Sequence, residues 1–240
     1  IKFQNQAGEL EFAWTTSWGT STRMIGAVIM AHSDDDGLIL PPRLAPVKAV
    51  ILPISTDPER LEKELLPKAM ELAASLNRIL GPMAVQVDKD FHLRPGDRFF
   101  RHLQKGVPLR MELGEREMES GKVRAVRRDT AERQDIPWES VEKEVPGLLN
   151  SIQEALFAKA LAFREANTRH ASSFEEMKSI LESEGGFVTA FFAGDRSDEK
   201  AIKEATGATV RCFPLSDSRT GTCFFTGKEG ARLAIFARAY

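Results

Sequence analysis

A single arginine stands where two kinds of sequence meet near the start of the chain. Residues 15–22, TTSWGTST, are rich in hydroxyl and β-branched side chains, which favour extended structure. Residues 24–31 are almost entirely apolar without alternation, which predicts a short helix buried on every face. Arg23 lies between them, near the positive end of the helix dipole, so its burial without an anion would be costly. This indicates a phosphate or carboxylate site; the alternative is a surface arginine whose stem lies along the helix.

The segments around this junction predict an antiparallel sheet with the helix packed against it. Residues 1–13 alternate weakly about a turn at Ala7-Gly8, as in a β-hairpin that leads into a strand from Trp14. The acidic run DDDG at 34–37 ends the helix. It could bind a cation, but it lacks further ligands at calcium-loop spacing, so we expect a solvated turn. Three prolines between residues 41 and 46 then predict a domain boundary.

The next hundred residues alternate between strand and helix patterns. The continuous apolar run at 47–54 is typical of a buried parallel strand, and the leucine-rich segment after Asp57 predicts a helix kinked at Pro67. We predict the following further elements: strands at 83–88, 107–114 and 122–128, and a helix at 95–105. This order predicts a compact α/β domain from about residue 47 to 145.

Charge is unevenly distributed along the 240 residues, although the formal net charge is only −2. Residues 89–133 contain twelve Lys or Arg and eight Asp or Glu, which is either a nucleic-acid-binding patch or a solvated face of mixed sign. With 42% hydrophobic residues the chain can form two domains with real cores. Two cysteines suit a reducing cytosol, and no apolar run has the length of a membrane span. Because it begins at Ile1, we expect a fragment or a trimmed chain.

The last hundred residues predict a second α/β unit. A long amphipathic helix is expected after residues 145–147, and Ser173 caps a second helix, with Glu176 completing a capping box. A strand at 187–192, a helix from Ser197 to Gly207 and two final strand segments follow.

Several of these segments together resemble a known signature. Gly19, the triplet Ser21-Thr22-Arg23, the apolar helix and the run DDDGLILPPRLAP from Asp34 resemble the third motif of class II aminoacyl-tRNA synthetases. The sequence of this motif is similar to that of the archaeal and eukaryotic type of prolyl-tRNA synthetase. This resemblance implies that Arg23 is a catalytic residue that packs over the adenine of ATP and meets its terminal phosphates. It implies that Ser21 contributes to the ATP pocket, and that Trp18 and Gly19 line a substrate pocket.

A second resemblance lies in the basic region. KGVPLRMELG at 105–114 and AVRRDT at 125–130 resemble the anticodon-binding domain of the same synthetases. It implies anticodon contacts from six residues: Asp88, Arg98, Lys105, Arg110, Arg127 and Arg128. Such RNA would be a single-stranded loop, read by stacking and base-edge hydrogen bonds. The pattern departs from the family at Asp90, Asp97 and Leu103; the last replaces a glutamate, and leucine cannot accept hydrogen bonds from guanine.

The C-terminal segment is the third region that resembles the family. Many relatives bind structural zinc through four cysteines, and the matching positions here are Ala193, Asp198, Cys223 and Thr226. Structural zinc requires four Cys or His ligands in a tetrahedron, so we predict no structural zinc. We also predict no other metal site. Cys212 is expected to be a buried strand residue. The resemblance also implies that the terminal Tyr240 folds back toward the catalytic domain.

The expected fold class is α/β, with α+β character at the N-terminus. The resemblance implies that residues 1–45 form the end of a class II antiparallel catalytic sheet and that residues 46–146 form an α/β anticodon-binding domain. It implies that residues 147–240 form a small C-terminal α/β domain that is zinc-binding-like but lacks the zinc ligands.

The resemblance implies the C-terminal half of an ATP-dependent proline–tRNA ligase, which forms prolyl-adenylate and transfers proline to tRNA(Pro). Its expected partners are tRNA(Pro), proline and ATP with Mg²⁺, and we expect a cytoplasmic homodimer paired through residues outside this chain and no membrane association. Arg23 would act electrostatically. Because the first two family motifs are missing, this segment alone is not expected to catalyse. The alternative is a non-catalytic, synthetase-like tRNA-binding module or paralogue.

Overall fold

A computed structural model describes residues 1–239. The chain divides into two compact units, Ile1–Leu156 and Phe157–Tyr240. The predicted boundaries after residues 45 and 146 stay a prediction, although the second falls inside a continuous helix, Val141–Ala166. The docking expected of Tyr240 concerns a residue outside the described range.

The N-terminal hairpin is confirmed. Strands β1 (Lys2–Gln4) and β2 (Leu10–Phe12) pair antiparallel. Between them, Asn5 Oδ1 accepts the backbone N–H of Ala7 at 2.9 Å, and Gly8 has a φ of +82°, which favours glycine. The chain therefore turns where the sequence predicts.

The segment around Arg23 differs from the prediction in two ways. Residues 13–21 form neither strand nor helix, so the strand predicted from Trp14 is wrong; β propensity holds a strand only where a partner strand pairs with it. Helix α1 (Arg23–His32) forms, but among the described residues none of its ten is buried, and Met30 is 71% exposed. The prediction of burial on every face is therefore wrong, because no layer of residues 1–239 encloses this helix.

The first unit is built on a five-stranded sheet. Its strands are β3 (Ala49–Ile54), β4 (Val85–Val87), β5 (Leu109–Gly114), β6 (Lys122–Arg127) and β7 (Arg133–Pro137). Their order is β4-β3-β5-β6-β7; β3 is parallel to β4 and β5, whereas β5, β6 and β7 run antiparallel. Strand β3 is buried along nearly its whole length, as predicted for a central parallel strand.

Helices flank this sheet. They are α2 (Pro58–Arg60), a π-helical turn (Leu61–Leu65), α3 (Leu66–Leu80), α4 (Pro95–Gln104), α5 (Glu115–Ser120), a 3₁₀ turn (Trp138–Ser140) and α6 (Val141–Ala166). The irregularity expected at Pro67 is a π-helical turn that precedes it, where the missing proline N–H interrupts the regular bonding. Helix α6 begins earlier than predicted and continues through Pro146, because Val141 and Val145 are fully buried. Helix α5 and strand β7 have no counterpart in the prediction.

The two faces of the sheet are chemically different. On β5, Leu109, Met111 and Leu113 are fully buried in the core that α3 and α6 complete. Arg110 and Glu112 alternate with them and point to the opposite face. The β5–β6–β7 part of that face therefore carries polar side chains.

The second unit has its own sheet, in the order β10-β12-β9-β8 with β11 paired to β12. Its elements are β8 (Thr168–His170), α7 (Phe174–Ser183), β9 (Phe187–Phe192), α8 (Arg196–Thr206), β10 (Ala208–Cys212), β11 (Thr220–Gly221) and β12 (Ala231–Arg238). Ser173 caps α7 as predicted. The cap of α8 is Asp195 rather than the expected Ser197. Across residues 1–239, no helix combines the length and the apolar character needed to cross a membrane.

One cysteine prediction is wrong. Cys212 is exposed, not buried. It ends the edge strand β10, where the register with β12 shifts between Val210 and Cys212, so the alternation that would carry it inward is lost.

Candidate functional site

The residues expected to bind ATP lie on one short surface stretch. Arg23 is the first residue of α1, and the turn before it is closed by Met24 N–H donating to Ser21 O at 3.1 Å. Ser21, Arg23, Trp18 and Gly19 are all exposed. The stretch thus presents an arginine at a helix N-terminus, where backbone N–H groups and a guanidinium both favour an anion.

Asp88 is the centre of a buried charge cluster. Its Oδ1 accepts hydrogen bonds from Arg98 Nε at 3.1 Å and the backbone N–H of Asp90 at 2.9 Å. Its Oδ2 lies 2.8 Å from Arg101 Nη2 and 2.6 Å from His102 Nε2. Burial alone would raise the pKa of Asp88, but the Asp90 N–H, His102 and the two arginines together hold it well below its usual range. Burial is also the main cause that lowers the pKa of His102.

This cluster includes two of the residues expected to contact RNA. The side chains of Asp88 and Arg98 are 1% and 3% exposed, and Arg98 also donates to Pro53 O at 3.0 Å and Asp88 O at 2.9 Å. Their polar groups are bonded within the protein, where they hold the loop after β4 against α4, and the RNA contact expected of them stays a prediction. Sequence reasoning missed Arg101 and His102, although their spacing of three and four from Arg98 is the signal for one helix face.

A largely polar surface lies on β5, β6 and β7. Paired neighbours across the three strands form two rows on it: Arg110, Val126 and Arg133 in one, and Glu112, Arg124 and Asp135 in the other. Arg110 stacks over the Phe99 ring, 4.5 Å from its centroid, and pairs with Glu112 at 2.9 Å. Arg124 Nε donates to Asp135 at 2.9 Å. We call this surface the sheet face.

A cavity of about 370 Å³ lies beside the sheet face, lined in part by Arg110, Arg127, Arg128, Asp129 and Arg133. Arg127 forks onto Asp129 at 2.7 Å and 2.9 Å and is 11% exposed. Asp129 also raises the pKa of Arg127, chiefly through this hydrogen bond. Arg127 is therefore largely engaged within the protein.

The remaining two predicted RNA-binding residues differ from each other. Lys105 caps the C-terminal end of α4 and is exposed. Arg128 is 7% exposed and forks onto Asp34 at 2.6 Å and 2.9 Å. The structure thus brings Arg110, Arg127 and Arg128 around one cavity and leaves Lys105 at the nearby surface.

Cys223 and Asp198, two of the positions expected to match zinc ligands, have hydrogen-bond partners within the protein. Cys223 is 2% exposed, and its Sγ accepts backbone N–H bonds from Ala193 and Thr226, both at 3.4 Å. Burial would raise the pKa of Cys223, but these and neighbouring hydrogen bonds lower it. Asp198 instead completes the cap of α8 by accepting the Asp195 N–H at 3.0 Å. One thiol cannot supply a tetrahedral zinc site, and nowhere in residues 1–239 do three or more His, Cys, Asp or Glu cluster as a metal site would require.

Comparison with known proteins follows the two-unit architecture. Residues 48–148 match the family model of the anticodon binding domain, and residues 174–240 match that of the prolyl-tRNA synthetase C-terminal domain. Proline–tRNA ligases of Cytophaga hutchinsonii and Chloroflexus aurantiacus are 43% and 44% identical to this chain, over 246 and 244 aligned residues. The chain is similar to proline–tRNA ligases throughout its length.

A solved structure agrees with this result. Giardia lamblia prolyl-tRNA synthetase in complex with prolyl-adenylate matches all of the chain with a TM-score of 0.86 and 29% identity. The predicted α/β fold class with an anticodon-binding domain is confirmed. The chain spans about half the length of these proteins: 48% and 50% of the two bacterial ligases and 51% of the Giardia chain.

Proposed function

We propose that this chain forms the C-terminal half of a proline–tRNA ligase of the archaeal and eukaryotic type. The enzyme would join proline to ATP as prolyl-adenylate and then transfer proline to the terminal ribose of tRNA(Pro). The observation that carries this proposal is the 43–44% identity to proline–tRNA ligases across the whole chain. The fold likeness to a eukaryotic synthetase with prolyl-adenylate supports the ATP-dependent step and the proposed type.

Arg23 is the residue we assign to ATP. A guanidinium can stack on the adenine ring and donate paired hydrogen bonds to phosphate oxygens. Arg23 would therefore stabilise charge that develops on the phosphates rather than transfer a proton. Ser21 lies two residues away on the same exposed stretch and would contact the nucleotide, while Trp18 and Gly19 would border the substrate pocket. Mg²⁺ would arrive bound to ATP and bridge its phosphates.

A complete active site would need further chain. Large apolar side chains are exposed along residues 1–30, among them Phe12, Trp14, Trp18, Met24, Ile25 and Met30. Burying a large apolar side chain is worth about 1.5–3 kcal/mol, so this surface favours a covering layer. We propose that the rest of the catalytic domain, with the first two family motifs, supplies that layer and the homodimer interface. The proposed location is the cytoplasm, in keeping with two unbridged thiols.

The sheet face is the proposed site of the anticodon loop. Its arginines can hold phosphates and stack on bases, and Lys105 lies at the surface nearby. Asp88 and Arg98 would act by fixing α4 from within. The side chain of Leu103 cannot accept the hydrogen bonds that the family glutamate accepts from guanine. Backbone carbonyls would have to accept them here, while arginines would donate to other base edges.

Proline-dependent exchange of pyrophosphate into ATP by the full-length protein tests the proposal. We expect exchange in the wild type and a loss of about 10²–10³-fold in Arg23→Ala, the scale of removing a charge-stabilising donor. Arg43→Ala, at another exposed arginine, is the matched control and should exchange normally. A wild type that binds tRNA(Pro) but exchanges no pyrophosphate would favour the alternative, a non-catalytic tRNA-binding module.

A further inference from the structure

Arg128 connects segments that are far apart in the sequence. Its Nη1 and Nη2 donate to the two carboxylate oxygens of Asp34 at 2.9 Å and 2.6 Å. Its Nη2 also donates to Gly37 O at 3.3 Å, and its Nε donates to Leu103 O at 3.2 Å. One guanidinium thus links the turn after α1, the end of α4 and the end of β6.

We call the contact of Arg128 with Asp34, Gly37 and Leu103 the joint. Its burial and geometry distinguish it from a chance ion pair on the surface. The Arg128 side chain is 7% exposed, and it uses the planar fork that distinguishes arginine from lysine. The turn holds the Asp34 carboxylate in position for this contact, because the same carboxylate accepts the backbone N–H groups of Asp36 at 3.1 Å and Gly37 at 3.2 Å. The turn and the ion pair therefore form together.

The backbone beside the joint is packed without spare room. Gly37 has a φ of +143°, and a Cβ there would lie 2.6 Å from Gln104 Cα. The N–H of Leu38 donates to Gln104 O at 3.1 Å, and the N–H of Leu40 donates to Gly106 O at 3.4 Å. Residues 34–40 are thus fixed against the end of α4.

Helix α1 leads directly into this attachment. It ends at His32, two residues before Asp34, and none of its own residues is buried within the described chain. At a rise of about 1.5 Å per residue, Arg23 lies about 13 Å from that end. A tilt of about 5° at the joint would therefore move Arg23 by about 1 Å relative to the sheet.

We propose that Arg128 is a positioning residue that fixes the angle between helix α1 and the sheet face, and that it does not contact RNA. This inference rests on the proposed function. A tRNA held by its anticodon loop at the sheet face reacts at its distant terminal ribose, so an altered angle misplaces the reacting end. In the full-length enzyme, other catalytic-domain contacts would hold α1 on ATP, so adenylate formation would not depend on Arg128.

The test compares variants of the full-length protein in two reactions. In Arg128→Gln, kcat/KM for aminoacylation of tRNA(Pro) should fall about 10–100-fold, as for a misplacement near 1 Å, while pyrophosphate exchange stays within about twofold. Asp34→Asn, which keeps the acceptor for the turn, should have a similar effect. The double variant should be no worse than either single variant, because both remove one contact. Arg78→Gln is the matched control, since it removes an exposed pair with Glu142.

Two further measurements keep the inference open to refutation. Binding of a proline anticodon stem-loop RNA should be unchanged in Arg128→Gln; a loss would overturn the inference and make Arg128 an RNA contact. Equal falls in aminoacylation and pyrophosphate exchange would also overturn it. Amide hydrogen exchange at residues 34–40 should accelerate in Arg128→Gln and not in Arg78→Gln. Unchanged amide hydrogen exchange at residues 34–40 would refute the inferred role of the Arg128 contact. This measurement does not depend on ligase activity, so a wild type that is not a ligase would refute only the proposed function.

Discussion

Replacing Asp88 by asparagine tests whether the buried charge cluster holds α4 to the sheet. The carboxylate serves Arg98, Arg101 and His102, and its side chain is 1% exposed. Removing one partner of a buried ion pair typically costs about 3–5 kcal/mol, because the other charge is left buried without compensation. The amide in Asp88→Asn would retain one acceptor oxygen, and Arg101 would retain Asp90, so we expect the lower end, about 3 kcal/mol.

Urea and thermal unfolding measure this loss, and Asp135→Asn is the matched control. A loss of about 3 kcal/mol in a unit of this size corresponds to a Tm about 6–12 °C lower. Asp135 pairs with Arg124 at 2.9 Å, but both side chains are well exposed, at 44% and 38%, so its replacement should cost less than about 1 kcal/mol. If the two variants lose the same stability, the cluster is not the anchor we infer.

Two further predictions concern pH and a glycine. Because the pKa of Asp88 is depressed in the folded state, its contribution to the free energy of unfolding is complete above its unfolded pKa of about 3.9 and is lost as the pH falls toward the folded value. The difference in unfolding free energy between wild type and Asp88→Asn should therefore narrow below about pH 4. A constant difference would contradict the inference that the ionised Asp88 stabilises the fold. Gly37→Ala should destabilise by about 2–4 kcal/mol in urea unfolding, because its φ is +143° and its Cβ would meet the Gln104 backbone. Gly147→Ala, inside α6 with room for a methyl group, should be neutral or slightly stabilising; equal losses would show that the Gly37 geometry is not required.

The core of the first unit could be predicted because its signals are local. The apolar run of β3 and the alternating pattern of β5 each predict which side chains are buried, and the structure agrees with both predictions. Strand β7 has a weaker signal, since RQDIP at 133–137 has one buried residue and forms through pairing with β6. The burial predicted for helix α1 is wrong for a related reason: an apolar pattern predicts that a surface will be covered, but not by which part of the chain.

The roles of the charged residues could be predicted only in part. The sequence indicates that Arg98, Arg127 and Arg128 belong to a basic region, but a guanidinium on a carboxylate and one exposed to solvent have the same sequence signal. The carboxylates that pair with Arg98 and Arg128 lie 10 and 94 residues away, at Asp88 and Asp34, and only the fold brings each pair together. The resemblance assigns Asp88 and the three arginines to the anticodon site, and the contacts show which of their polar groups are already bonded within the protein.

In the proposed function, the basic region would contribute to RNA binding in two physically distinct ways. Its local excess of positive charge acts over a Debye length of about 8–10 Å whether or not each arginine is paired, so the whole region can attract a polyanion. Direct contact needs unoccupied N–H donors, and Arg98, Arg127 and Arg128 have given most of theirs to the protein. In the proposed function, contacts to an anticodon loop would come mainly from Lys105 and from Arg133 of the sheet face, which are exposed. The paired arginines, Arg110 and Arg124 among them, would set the geometry in which those contacts are made.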